Sequence, residues 1–197
     1  MNEDTLTALA LRLLHGPGSN ARTILGLAGP PGAGKSTLAR HLVAEVERHE
    51  GPGSAAYLPL DGFHLSAAQL DRLGLSHRKG APATFDAHGY IALLRRVAAD
   101  RFQHIYVPDF DRDLDEPVAA RHVVAPHARL VITEGNYLAA AEHPWPEAAG
   151  CCASSGGWRP TTRSARSACS DAIVTAAATR PRPGTGSAPT TSPTVST

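Results

Sequence analysis

The sequence predicts an α/β fold: a parallel sheet with helices on both faces. Short apolar, strand-like runs alternate with amphipathic helical stretches as far as Gly150. One strand–loop–helix unit carries the unbroken pattern Gly29-Pro30-Pro31-Gly32-Ala33-Gly34-Lys35-Ser36. Polar clusters follow the other strand-like runs directly, which is where such sheets bind ligands.

Taken in order, Thr5 to Leu14 reads as an opening helix that Gly16-Pro17-Gly18 stops. Thr23 to Ala28 is short, apolar and β-branched at its start, as a buried parallel strand should be. From Ser36 to Val46, Leu38, Leu42, Val43 and Val46 share one helical face. Gly51-Pro52-Gly53 marks a turn, and Ala56 to Leu60 is a second strand with Asp61-Gly62-Phe63-His64 at its carboxyl end. A short helix near residues 66–73 leads to the loop Arg78 to Phe85. Asp86 is a good N-cap for a helix from Ala87 to Ala99, with Ile91, Leu94 and Val97 turned to the core. His104 to Pro108 is expected to be a third strand, followed by Asp109-Phe110-Asp111-Arg112-Asp113. Arg129 to Thr133 is a fourth, ending at Glu134-Gly135-Asn136-Tyr137, and no internal repeat is visible.

The glycine loop is the strongest chemical signal. Gly29, Gly32 and Gly34 permit backbone angles and close approach that a Cβ would block. In the loop that runs through Pro30, Pro31 and Ala33 to Thr37, the successive N–H groups, which the two prolines themselves lack, can then face phosphate oxygens, helped by the positive end of the following helix. Lys35 is expected to reach the β- and γ-phosphates of a nucleoside triphosphate, and Ser36 to complete the shell of a Mg²⁺ ion. Glu134, after an apolar strand, suits the acid that holds this ion or its water. Asp61 suits a general base, because transfer to an alcohol needs a group that accepts the hydroxyl proton. Arg78 and Lys79 could neutralise charge on substrate or phosphates, and Asp109 with Arg112 offers a polar pair for hydroxyls or a carboxylate. His64 and His77 lack metal-ligand spacing and read as local hydrogen-bonders. A guanine-reading N-K-x-D motif is absent, which weighs against a GTPase switch.

Composition sets outer bounds. A chain of 197 residues suggests one domain, and its net charge of +1 gives no field for nucleic acid or an anionic membrane. No apolar run approaches a bilayer span, and Met1-Asn2-Glu3-Asp4 does not resemble a signal peptide, so a cytoplasmic location is expected. A homo-oligomer stays open. The composition changes at Gly150: of the acidic residues only Asp171 lies beyond it, no lysine does, and all three cysteines do. Residues 1–150 are therefore read as the folded domain and 151–197 as a low-complexity, disordered tail. Cys151-Cys152 has no partners for a metal site or disulfide framework.

Together, the glycine loop, Asp61-Gly62-Phe63-His64, Arg78-Lys79-Gly80-Ala81-Pro82-x-Thr84-Phe85-Asp86, Pro108-Asp109-Phe110-Asp111-Arg112 and Glu134-Gly135-Asn136-Tyr137 resemble the bacterial nucleoside/nucleotide kinase family. That family is related to uridine kinase, bacterial pantothenate kinase and phosphoribulokinase, and the resemblance covers roughly residues 20–140. It implies a P-loop NTPase fold and ATP-dependent phosphorylation of a hydroxyl on a small-molecule acceptor. It also implies Asp61 as base, Glu134 near Mg²⁺, and Arg78, Lys79, Asp109 and Arg112 near the acceptor. His64 and Asn136, in the same motifs, are candidate acceptor contacts. Members phosphorylate chemically different alcohols, so the acceptor does not follow.

After Tyr137-Leu138 the resemblance calls for another core strand, an arginine-rich lid helix, and W-V and D-x-x-N patterns; residues 151–197 contain none of these. A back-translation shifted by two bases from the Gly150 codon, with free bases chosen toward G and C, contains all of them. The expectation is a C-terminus read in a shifted frame, an incomplete fold with an open sheet edge, and a kinase of low turnover. The alternatives are a non-catalytic nucleotide-binding module and an ATPase without an acceptor.

Overall fold

The computed structural model describes residues 3–15, 21–152 and 173–178. Helix α1 (Glu3–His15) precedes β1 (Thr23–Ala28), and the glycine loop joins β1 to α2 (Lys35–Glu50). Then come β2 (Ala55–Pro59), α3 (Ala67–Leu73), α4 (Ala87–Ala99), β3 (Ile105–Asp111), β4 (Glu116–Val124), β5 (Leu130–Gly135), α5 (Trp145–Cys151) and β6 (Ile173–Ala178). The main sheet has the order β2-β5-β1-β6. Strands β2, β5 and β1 are parallel, with Gly26 opposite Thr133 and Leu58 opposite the same Thr133. All residues of these three strands are buried, as their continuous apolar character requires.

Helices flank the sheet. Leu42 and Val46 of α2 and Ile91, Leu94 and Val97 of α4 are almost fully excluded from solvent, within one core that also takes in Leu6, Leu14, Trp145 and Ala148. Asp86 caps α4 by accepting the Gly89 amide at 2.8 Å. Tyr90 of α4 is locked to the sheet: its hydroxyl lies 2.6 Å from Thr133 Oγ1, which donates to the Leu58 carbonyl at 2.6 Å. The far end of β1 is held by Arg22, which is fully buried. Its guanidinium donates to the carbonyls of Val97, Asp100, Ala125, Pro126 and Ala128 at 2.8–3.0 Å. Among the described residues no helix is long and apolar enough to cross a membrane.

The structure departs from the sequence reading in three places. The expected third strand does not join the parallel sheet; β3 pairs antiparallel with β4 in a separate two-stranded sheet. Pro108 has no amide to give, and the register shifts between Val107 and Asp109. Strand β4 escaped notice because it is largely exposed and presents no apolar run. Helix α5 was also unforeseen, and it carries Cys151 into the core with Cys152 just behind, so the predicted tail boundary cuts through packed structure. Lastly, Ile173–Ala178, where no strand was expected, is a strand that pairs antiparallel along the whole of β1. The rest of the tail reading, 153–172 and 179–197, lies outside the described residues.

Candidate active site

The carboxyl ends of β1, β2 and β5 open on one cleft of about 580 Å³. Pro31, Gly32, Gly34, Lys35, Ser36 and Thr37 line it together with Asp61, His64, Glu134 and Asn136. The loop has the shape the motif demands. Gly32 and Gly34 sit at φ of 77° and 75°, a left-handed conformation that strains any residue with a Cβ. Gly34 is the N-cap of α2 and no side chain caps that helix, so its first amides keep their hydrogen-bonding capacity for an anion. Gly29, Pro30 and Ala33 build the body of the turn, where the Ala33 amide donates to the Pro30 carbonyl at 3.3 Å.

Lys35 arches back over this turn. Its ammonium donates to the Pro30 carbonyl at 2.8 Å and to Asn136 Oδ1 at 2.7 Å. Burial pushes its pKa down, against the opposing pull of Glu134 and Asp61. Ser36 Oγ donates to Glu134 Oε1 at 3.1 Å, and the Tyr57 hydroxyl donates to the same oxygen at 2.8 Å. Glu134 is 3% exposed, and burial, with Asp61 nearby, holds its carboxyl above the usual carboxylate range despite those two donors and Lys35. Among the described residues no group of three His, Cys, Asp or Glu side chains is gathered for a metal. Ser36 and Glu134 offer two neighbouring oxygen ligands to a hard cation.

Elsewhere in the cleft, Asp61 Oδ2 lies 3.6 Å from Arg112, whose side chain is largely exposed. His64 stacks on Phe85 with ring centroids 4.0 Å apart and meets Phe110 at 5.0 Å. Its Nδ1 is buried without a hydrogen-bond partner among the described residues, and burial lowers its pKa.

The sequence-predicted residues divide accordingly. Most of the loop, with Asp61, His64, Asp109, Arg112, Glu134 and Asn136, converges on the cleft. Arg78 and Lys79 do not line it. Arg78 is exposed at the end of the turn Ser76–Arg78. Lys79 is engaged by Asp115 at 2.7 Å and lies over the Phe110 ring. Asp109 and Arg112 are not a pair either, because the bulge in β3 sends Asp109 toward His122 (2.8 Å) and Arg40 (3.5 Å). Sequence reasoning missed Arg40, Tyr57 and His122. Arg40 had a signal, being four residues beyond Ser36 on one helical face. His122 had none, since its strand was not foreseen.

No family model matches the chain. A candidate fructose transport system kinase from Silicibacter sp. TM1040 is 36% identical, with a TM-score of 0.68 over 77% of this chain and 71% of that one. The chain belongs to the P-loop kinases. Its curated relatives include Schizosaccharomyces pombe protein C227.14, named as a candidate uridine kinase and 37% identical over 131 residues. That match covers 64% of this chain and 56% of the relative. Pantothenate kinase of Corynebacterium efficiens is 27% identical over 119 residues, covering 60% of this chain and 36% of that enzyme. This P-loop kinase thus spans about half the length of the first curated relatives it matches.

Proposed function

We propose that this chain transfers the γ-phosphoryl group of ATP to a hydroxyl of a small molecule. The observation that carries the reading is a carboxylate, Asp61, opening on the same cleft as a phosphate loop and a Ser36–Glu134 contact. Transfer to an alcohol needs a group that accepts the hydroxyl proton, and Asp61 lies where it can do so.

The residues present fit the nucleotide. The loop amides and Lys35 would hold its phosphates, with Lys35 released from Pro30 and Asn136 to do so. Mg²⁺, when bound, supplies charge neutralisation on the phosphoryl oxygens, and Ser36 and Glu134 are the side chains that would hold it. Asp61 accepts the proton of the acceptor hydroxyl, and Arg112 beside it orients the carboxylate. His64, with its unpartnered Nδ1, and Asn136 offer hydrogen-bonding groups to the acceptor, whose body would lie against Phe85 and Phe110. An alcohol of nucleoside, pantothenate-like or sugar-like size suits this space, and a reaction that consumes ATP is in keeping with a cytoplasmic location.

The test is a coupled assay of ADP release over a panel of such alcohols, with Mg·ADP binding measured in parallel by calorimetry. ADP release that needs both an acceptor and Asp61, and that Asp61→Asn abolishes, supports the reading. Saturable Mg·ADP binding without turnover on any acceptor would favour a non-catalytic nucleotide-binding module, and ADP release independent of acceptor would favour an ATPase.

A further inference from the structure

We propose that Arg40 is an oxyanion-binding arm of the cleft, set in place by Asp109 and His122. The inference rests on the kinase reading above and adds to it a residue on the α2 wall and a positioning pair on the β3–β4 sheet.

Arg40 lies one turn beyond Ser36 on α2, so its side chain rises on the same face and enters the cleft lining. Two contacts fix its plane. The guanidinium stacks over the Tyr57 ring at 5.1 Å, and Nη2 stands 3.5 Å from Asp109 Oδ2. The second distance is an ion pair longer than an ordinary N–H···O hydrogen bond. The donors of the fork are thus held in register with the cleft while their hydrogen-bonding capacity is kept for a ligand.

Asp109 is not free to bind substrate itself. Its Oδ1 accepts the Phe110 amide at 2.8 Å and its Oδ2 meets His122 Nε2 at 2.8 Å, with the side chain only 13% exposed. Burial pushes its carboxyl up, but His122, the Phe110 amide and Arg40 outweigh this and leave it below the usual range. His122 in turn meets the edge of Tyr57, with ring centroids 5.1 Å apart. The chain His122–Asp109–Arg40 therefore links the β3–β4 sheet to the helix of the phosphate loop and ends in an exposed cation at the cleft. A planar guanidinium with spare paired donors matches a phosphoryl or carboxylate group. That group belongs either to the terminal phosphoryl of the donor or to an anionic acceptor.

The experiment uses the full chain and three titrations: Mg·ADP, the non-hydrolysable analogue Mg·AMPPNP, and inorganic phosphate added to AMPPNP-loaded protein. Arg40→Met is expected to lower one of the last two affinities by about tenfold while Mg·ADP affinity holds. A loss of AMPPNP relative to ADP assigns the arm to the donor phosphoryl; an unchanged ratio with weakened phosphate binding assigns it to the acceptor. His122→Leu should move the same affinity in the same direction, and His122→Gln, which keeps an N–H donor for Asp109, should restore most of it. The proposal falls if Arg40→Met leaves both affinities unchanged, or if His122→Leu lowers only the unfolding midpoint. Wild-type protein that binds neither nucleotide would remove the kinase reading and this one together, whereas normal wild-type binding with an indifferent Arg40→Met removes only this one.

Discussion

The hydroxyl of Tyr57 donates to Glu134 Oε1 at 2.8 Å, on the same carboxylate oxygen that takes the Ser36 hydroxyl. A buried acid is thereby held in place by two neutral donors, with no cation in direct hydrogen-bond contact among the described residues. Glu134 bears a desolvation penalty in its charged form, and that is the source of its raised pKa. The folded state therefore takes up a proton at Glu134 more readily than the unfolded chain does. The penalty is full above the raised folded pKa and is relieved as pH falls through it. Glu134→Gln, which still accepts from both hydroxyls, is expected to raise the unfolding midpoint at pH 7.5 by about 2–4 °C. The gain should shrink at acid pH, and Mg²⁺ should no longer strengthen nucleotide binding. Thermal scans with and without Mg·ADP test both halves; a lowered midpoint would contradict the first.

Gly62 packs backbone against backbone. A Cβ there would fall 2.3 Å from the Pro108 carbonyl oxygen and 2.8 Å from the Asp109 nitrogen, neither of which can swing aside. Gly62→Ala is expected to cost about 1–3 kcal/mol, the range for overpacked interiors. It should also displace Asp61, its neighbour in the chain, relative to Asp109. Urea melts measure the first effect, and a fall in kcat beyond the loss of folded protein measures the second.

His64 titrates below the ordinary histidine range because burial disfavours its charge. The unfolded chain takes up that proton near pH 6.5, while the folded chain stays neutral to lower pH. Stability from this residue is thus complete above pH 6.5 and declines as pH falls toward the folded pKa. Urea midpoints at pH 7.5 and 5.5 should fall further for wild type than for His64→Leu. Equal losses in the two proteins would reject this account.

The segment after Gly150 gives a genetic prediction. If the coding DNA across Glu147 to Arg159 proves to carry a one- or two-base slip, the restored chain should regain lid arginines. Its turnover should then exceed that of the present chain on the order of 10³-fold, the usual worth of arginines at a transferring phosphoryl. Equal turnover of the two proteins would set this idea aside.

The parts of the fold that were legible are those in which local chemistry and final environment agree. Strands β1 and β5 are apolar runs that end buried, and Asp86 announces α4 by its capping chemistry alone. The loop from Gly29 to Ser36 was readable because its glycines answer a backbone need rather than a packing one. Strand β4 was not, since its residues owe their conformation to pairing with β3 across a long-range ladder. The same holds in the site. Lys35, Ser36, Asp61 and Glu134 announce themselves by motif, whereas Arg40 and His122 matter through contacts 69 and 13 residues away from Asp109 on either side. Such contacts exist only once the chain has folded. Lys79 shows the converse: a charge that suits a phosphate is committed to Asp115 instead.

Arg22 occupies the opposite end of β1 from the glycine loop, with its five donated hydrogen bonds standing where a small cluster of trapped waters would otherwise be required. One six-residue buried strand therefore runs between two kinds of end, a base tied by side-chain-to-carbonyl hydrogen bonds and a rim of glycine loop. The joint between the sheet and the C-terminal end of α4 thus hangs on one side chain, far from the residues that line the cleft, so that the anchoring of β1 and the chemistry at its other end draw on separate sets of contacts.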